Sequence, residues 1–204
     1  MRTTRVYLEQ GSRWIFAACL DWPGWCRRAK SAELAIASLD AYRERYREIV
    51  GVDLGPQEYD VVGTIHGNAT TDFGALSMVG PWDEVILDDG ELVRQLDVLD
   101  RHWAYFDDVV AVAPASLAKG PRGGGRERDA VVNHVREAER AYCAKAGVRV
   151  GIRTAWPEQR TMLRSALINR APGSWPAPYA IRRVAWHVAD HAWEIEERAV
   201  GVFR

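Results

Sequence analysis

IRRVAWHVADHAWEIEER, residues 181–198, decides how this chain is read. Ile181, Val184, Val188, Ile195 and Ala199 recur at helical spacing, so the stretch predicts one helix with a buried side. His187 and His191 stand four residues apart and stack on one face. His191 also takes a place in the rhythm Val184, Val188, His191, Ile195, which turns both imidazoles inward. A buried imidazole needs a partner for each ring nitrogen. For two stacked on an inward face, a shared divalent metal is the simplest partner.

Three more helices lead up to it. Over residues 91–113, Leu92, Leu96, Leu99, Trp103, Phe106 and Val110 alternate by four and three, a seam that packs on other helices, and Pro114 ends it. Residues 129–146 carry the stripe Val131, Val135, Ala138, Tyr142, with His134 beside it and Gly147 closing the helix. Residues 158–170 form the third, and 171–178, with three prolines and a glycine, a linker. Residues 89–204 thus predict a four-helix bundle. Upstream, residues 5–9 and 13–20 read as strands about a Gly11-Ser12 turn, and residues 21–25, DWPGW, as a second turn. Ser31 caps a helix running to about Val50, buried along Leu39, Tyr42, Tyr46 and Ile49 and ended by Gly51. Residues 59–65 give a third strand, 66–81 a loop, and 81–87 a short strand or connector. The expectation is an α+β chain. A small β-β-α-β layer occupies residues 1–80 and the bundle residues 81–204.

Net charge over the 204 residues is -1, but it is unevenly spread. Residues 51–118 hold 13 acidic and 2 basic side chains, and residues 119–204 hold 16 basic and 9 acidic. Complementary faces, a basic pocket for an anion and plain solvated surface all fit that split. Cys19, Cys26 and Cys143 make an odd set without metal or disulfide spacing, which suggests a reducing compartment. No 18-residue apolar run and no apolar leader core stand in the chain. A cytoplasmic protein with no membrane contact is expected.

A catalytic zinc-type site takes three protein ligands and keeps one position open. His187 and His191 give two, and His134 is the remaining histidine on an inward bundle stripe. Position 188 is valine, so no zincin glutamate stands between the pair. Three histidines satisfied within the core remain the alternative. Asp190 and Glu137 are candidates to hold a ligating imidazole from behind. Glu194 reads more plainly as a surface pair with Arg198. The basic loop KGPRGGGRER, residues 119–128, is not a P-loop. Arg122 and Arg126 in it are candidate anion contacts. Arg126 lies about 12 Å along a helix from His134, and solvated loop charge is the plainer reading. His66 and His102 are not expected to ligate.

Residues 89–204 resemble the DinB/YfiT-like metalloprotein superfamily. The likeness rests on four helices, one histidine in the second (His134 in VVNHVREAE) and a His-x-x-x-His pair in the last (His187 and His191 in WHVADHAWE). It implies a divalent ion, zinc or nickel, on these three residues. It also implies thiol-dependent S-transfer, with a low-molecular-weight thiol such as mycothiol, or hydrolysis of a small-molecule substrate. A non-catalytic metal-binding module is the alternative. Residues 4–50 resemble the HicB-like antitoxin domain, through two strands, Asp21-Trp22-Pro23-Gly24 and a helix opening Ser31-Ala32-Glu33-Leu34-Ala35. No DNA-reading arm accompanies them, so nucleic acid is not an expected partner. Bundles of this type often pair through helix faces, which leaves a homodimer open.

Overall fold

The computed structural model describes residues 2–120 and 125–202. Strand β1 (Arg2–Gln10) turns back into β2 (Ile15–Cys19), and the turn at residues 21–25 leads into β3 (Cys26–Ala29). Helices α1 (Ala32–Ala41) and α2 (Arg43–Val50) cross over to β4 (Gln57–His66). The sheet runs β3-β2-β1-β4, with β4 parallel to β1 and the other pairs antiparallel. A parallel neighbour demands a crossover of this kind, and α1 with α2 supplies it. Connectors follow: short helix α3 (Ala69–Phe73), then a 3-10 turn at Pro81–Asp83. The chain ends in α4 (Asp89–Val112), α5 (Arg128–Lys145), α6 (Trp156–Ile168) and α7 (Ala177–Arg198). The protein is α+β.

Helices α4 to α7 pack around one core. Leu96, Leu99 and Phe106 from α4 meet Val131 and Val135 from α5, Leu163 from α6, and Val184, Val188 and Ile195 from α7. Helix α7 also enters the cores of the sheet layer. Ala189 and Trp193 join the cluster of Val6, Leu8, Trp25, Leu39 and Tyr46, and Val98 of α4 joins it too. Trp186 joins Tyr7, Phe16 and Cys26 on the other side of the sheet. The two expected parts therefore share buried side chains along α7. The charge asymmetry is complementary between helices. Arg160 pairs with Asp107 at 2.7 Å, Arg164 with Asp100 at 2.8 Å, and Arg170 with Asp89 at 2.9 Å. Arg182 forms a buried pair with Asp83.

Several boundaries differ from the sequence reading. Residues 26–29 form a strand where none was expected. The pattern Cys-Arg-Arg-Ala lacks alternation because this is the edge strand and its arginines point to a cleft and to solvent. The helix expected from Ser31 to Val50 breaks at Tyr42 (φ -92, ψ 5), with the Tyr42 ring packed on Trp193 at 5.1 Å. Loop 66–81 holds α3, opened by an Asn68–Thr71 capping box. Helix α7 begins at Ala177, inside the expected linker, because Pro178 occupies a first-turn position that suits proline.

The DWPGW turn locks the layer to α4. Tyr46 Oη donates to Pro23 O at 2.7 Å, and Arg94 Nη2 to Asp21 O at 2.7 Å. Gly24 has φ 91, and a Cβ there would lie 2.4 Å from His102 Nε2 and 3.0 Å from Ala185 Cβ. His102 is 1% exposed, and its Nδ1 meets Val98 O at 2.7 Å. Burial pushes its pKa from 6.5 down to about 4. An imidazole neutral in the fold and free to protonate when unfolded costs stability as pH falls below 6.5, down to about 4. The full cost is about 3 kcal/mol. His102→Gln should therefore remove a large part of the acid-side slope, read by denaturant unfolding at pH 7 and 4.5. An unchanged slope would refute the assignment. Gly24→Ala should destabilise by about 2 kcal/mol or more, since strain and overlap act together.

Candidate metal centre

Helix α5 places His134 and α7 places His187 and His191. The two helices run antiparallel here: His134 lies against His191 and His187, while Tyr142, further along α5, lies against His187. The three rings stand 4.6, 4.9 and 5.2 Å apart between centroids. His134 Nε2 and His187 Nε2 are 3.3 Å apart. Two nitrogens bound to one tetrahedral ion at 2.0–2.1 Å would stand about 3.3 Å apart. One nitrogen from each ring lies within 4.8 Å of the others, so closing all three onto an ion needs a shift of at most about 1.5 Å. As a bare pair, His134 and His187 can share one N–H···N bond, and buried His187 Nδ1 has no partner. The group could hold a metal ion.

The protonation states suit ligation. Burial pushes His187 well below the ordinary imidazole value, and the neighbouring His191, Arg183 and His134 add to this. Burial also lowers His134. Both rings are neutral at pH 7, with a lone pair to offer. His191 is fixed from behind. Its Nδ1 lies 2.8 Å from Glu194 Oε2, and that contact is the main cause holding the Glu194 carboxyl below its usual range. An ionised carboxylate only accepts, so Nδ1 donates in this contact and Nε2 is the ring nitrogen left for another partner. This is the carboxylate–histidine arrangement that orients metal ligands.

The carboxylate behind His191 is Glu194, which the sequence places in a surface pair with Arg198. Glu194 Oε1 does take Arg198 at 2.8 Å, as its spacing suggested, and its other oxygen takes His191. The offset of three from His191 was the available signal. Asp190 instead pairs with Arg27 of β3 at 3.2 Å, and Glu137 pairs with Arg140. Arg126 is exposed, and its charge contributes to lowering His134 and His187. Arg122 lies outside the described residues. His66 is exposed at the end of β4, and His102 is buried in the layer junction away from the triad. Tyr142, eight residues after His134, reads in the sequence as part of the core stripe, and its ring packs on His187 at 5.6 Å.

A cleft of about 710 Å³ borders Asp190 and Glu194, with Arg27, Arg28, Lys119 and Arg198 on its walls. The three cysteines are buried, and burial pushes Cys19 and Cys143 up to about 12. They are inert as thiolates at neutral pH. Among the described residues no helix is long and apolar enough to cross a membrane. No family model, curated protein or solved structure matches the chain. Replacing Glu194 with Gln should weaken zinc affinity about 10–100-fold while the fold persists. Competition against a chromophoric chelator measures it, and an unaltered affinity would remove Glu194 from the site.

Proposed function

We propose that the protein is a metal-dependent enzyme of the DinB/YfiT-like type, a thiol-dependent S-transferase or a hydrolase acting on a small molecule. The observation that carries this reading is the convergence of His134, His187 and His191 from two helices, with Glu194 behind His191. Its support is the helix order, the paired Nε2 atoms and the neutral rings. The histidines supply three ligands, and among the described residues no fourth His, Cys, Asp or Glu joins the group. Three protein ligands with one open position are the pattern of catalytic rather than structural zinc.

A divalent ion on these residues would act as a Lewis acid, lowering the pKa of a water or thiol that it binds. The chain's own residues do the rest. His187, 6% exposed, is buried on α7. His134 and His191 are half-buried, so the centre can be reached from outside. Glu194 fixes the His191 tautomer, and Arg198 fixes Glu194. With the chain's own thiols buried, the nucleophile would come from water or from an added thiol. The metal, zinc or nickel, is set by supply as much as by imidazole donors.

The test separates metal from chemistry. Purified protein should hold one zinc or nickel per chain, and His134→Ala, His187→Ala and His191→Ala should each lower affinity more than about a hundredfold. Retention of metal by the triple variant would sink the site. Turnover of electrophiles only with a low-molecular-weight thiol would identify a transferase, and thiol-independent ester or amide cleavage a hydrolase. Full metal loading without either would favour a non-catalytic metal-binding module, the reading to which the burial of His187 lends weight.

A further inference from the structure

The face of α7 that carries His187 and His191 continues toward the helix start as Arg183 and Tyr179, each four residues from the next. All four stack along one strip at helical spacing. Tyr179 is fully buried and Arg183 is 7% exposed. Tyr179 Oη, Arg183 Nη1 and His187 Nδ1 are all buried without a hydrogen-bond partner. Buried polar atoms are almost always satisfied, and here three orphans fall on consecutive turns of one helix face.

The guanidinium is the unusual member. Among the described residues no carboxylate lies within ion-pair distance of Arg183, although the adjacent Arg182 has Asp83. Arg183 is instead packed over the Tyr142 ring at 4.9 Å and the Trp186 ring at 4.7 Å. Aromatic faces offset only part of the cost of desolvating a cation. Tyr142 also touches His187 at 5.6 Å and Trp175 at 5.2 Å, and Trp175 touches Tyr179 at 5.1 Å. The orphaned groups are therefore gathered around Tyr142 and Trp175, beside the histidines. Tyr142 and Trp175 are half-buried, which leaves this aromatic wall open to solvent. Histidine binds a metal as a neutral donor, so a divalent ion held by these residues would keep its charge and add to the positive field of Arg183. Both ask for an anion.

We infer that the face of α7 beside Tyr142 and Trp175 is a recognition site for a small-molecule carboxylate, held by the Arg183 guanidinium and the Tyr179 hydroxyl one to two turns from the three-histidine centre. The guanidinium presents planar paired donors that fit a carboxylate, and Tyr179 Oη adds a third. One helical turn is 5.4 Å, so the carboxylate and the group reaching the histidines lie about 5–6 Å apart along α7. This inference rests on the proposed metal centre for its function, but the anion site stands on its own residues. Arg183 and Tyr179 act here as binding residues, and His187 Nδ1 gains an acceptor from the same ligand.

Isothermal titration of the full-length, zinc-loaded protein with succinate, and separately with inorganic phosphate, tests it. One succinate per chain is expected. Arg183→Gln should weaken succinate binding at least about tenfold while zinc stoichiometry stays at one. Tyr179→Phe should weaken it several-fold without loss of thermal stability, because it removes a hydroxyl that has no partner. It thereby serves as the variant that keeps the fold. Arg183→Lys, which keeps the charge without the fork, should fall between wild type and Arg183→Gln. Wild-type succinate affinity in Arg183→Gln, absence of succinate binding in the wild type, or preference for phosphate would each overturn the inference. If the protein binds no zinc yet takes up succinate through Arg183, the metal reading fails and the carboxylate site stands.

Discussion

Burial of α7 on every side is the constraint on which the rest of this structure depends. From Pro178 to Ala189 each residue of the helix is buried, and its side chains enter all three apolar clusters. A helix apolar all round needs only neighbours. This one carries Arg182, Arg183 and His187 within that span, and for Arg182 and His187 the neighbours supply a polar partner as well as contact. The connector at Pro81–Asp83 supplies Asp83 to Arg182, and α5 supplies His134 to His187. Partners of this kind come from opposite sides of the helix and fix its rotation as well as its depth. A slip of one residue would carry a charged side chain into the aliphatic core, which is why the register of α7 is determined so tightly.

Charge performs a second, weaker function. The acidic excess of residues 51–118 and the basic excess of residues 119–204 meet mainly between α4 and α6, where Arg160 and Arg164 reach Asp107, Asp97 and Asp100. These pairs are largely exposed on the carboxylate side and contribute little each. Arg160 differs because it also approaches Glu139, a buried carboxylate of α5 whose oxygens take the indole N–H groups of Trp103 and Trp156. Burial raises the pKa of Glu139, and the cation and the indoles oppose that shift. Through Glu139, α4, α5 and α6 are tied at one point inside the bundle. The sheet layer has a counterpart in Glu9, which accepts from Thr71 and from the backbone of Ser77 and Met78 and so holds down the connector after α3.

What could be read from the sequence follows from what a one-dimensional pattern encodes. Helical periodicity and terminators located α4, α5, α6 and the body of α7, because each buries a continuous stripe in a common core. Spacing brought out His134, His187 and His191 for the same reason: inward positions on adjoining helices converge. The edge strand β3 was invisible because an edge has no buried alternation to display. Sequence distance to His191 favours Asp190 but says nothing of what lies opposite it, and Arg27 lies opposite. In the sequence Glu194 looks complete, because an arginine stands four residues on. Two oxygens allow two partners, and only the fold shows that the second is an imidazole.

The sheet layer and the histidine centre are joined through the second half of α7. Trp193, two residues after His191, is buried against Tyr42 and in the cluster that holds Trp25, Leu39 and Tyr46. Arg27 lies over the Tyr42 and Trp193 rings and bonds Asp190, while Arg45 reaches Glu196 and Glu197. These contacts bracket His191 and Glu194 from outside the bundle. A ligand set must hold its geometry to fractions of an ångström, and α5 touches this part of α7 along one side only. The layer supplies the other side. A bundle lacking it would expose Ala189 and Trp193 and free the segment that presents His191. On that ground the N-terminal layer belongs to the architecture of the centre rather than to a separate appended module.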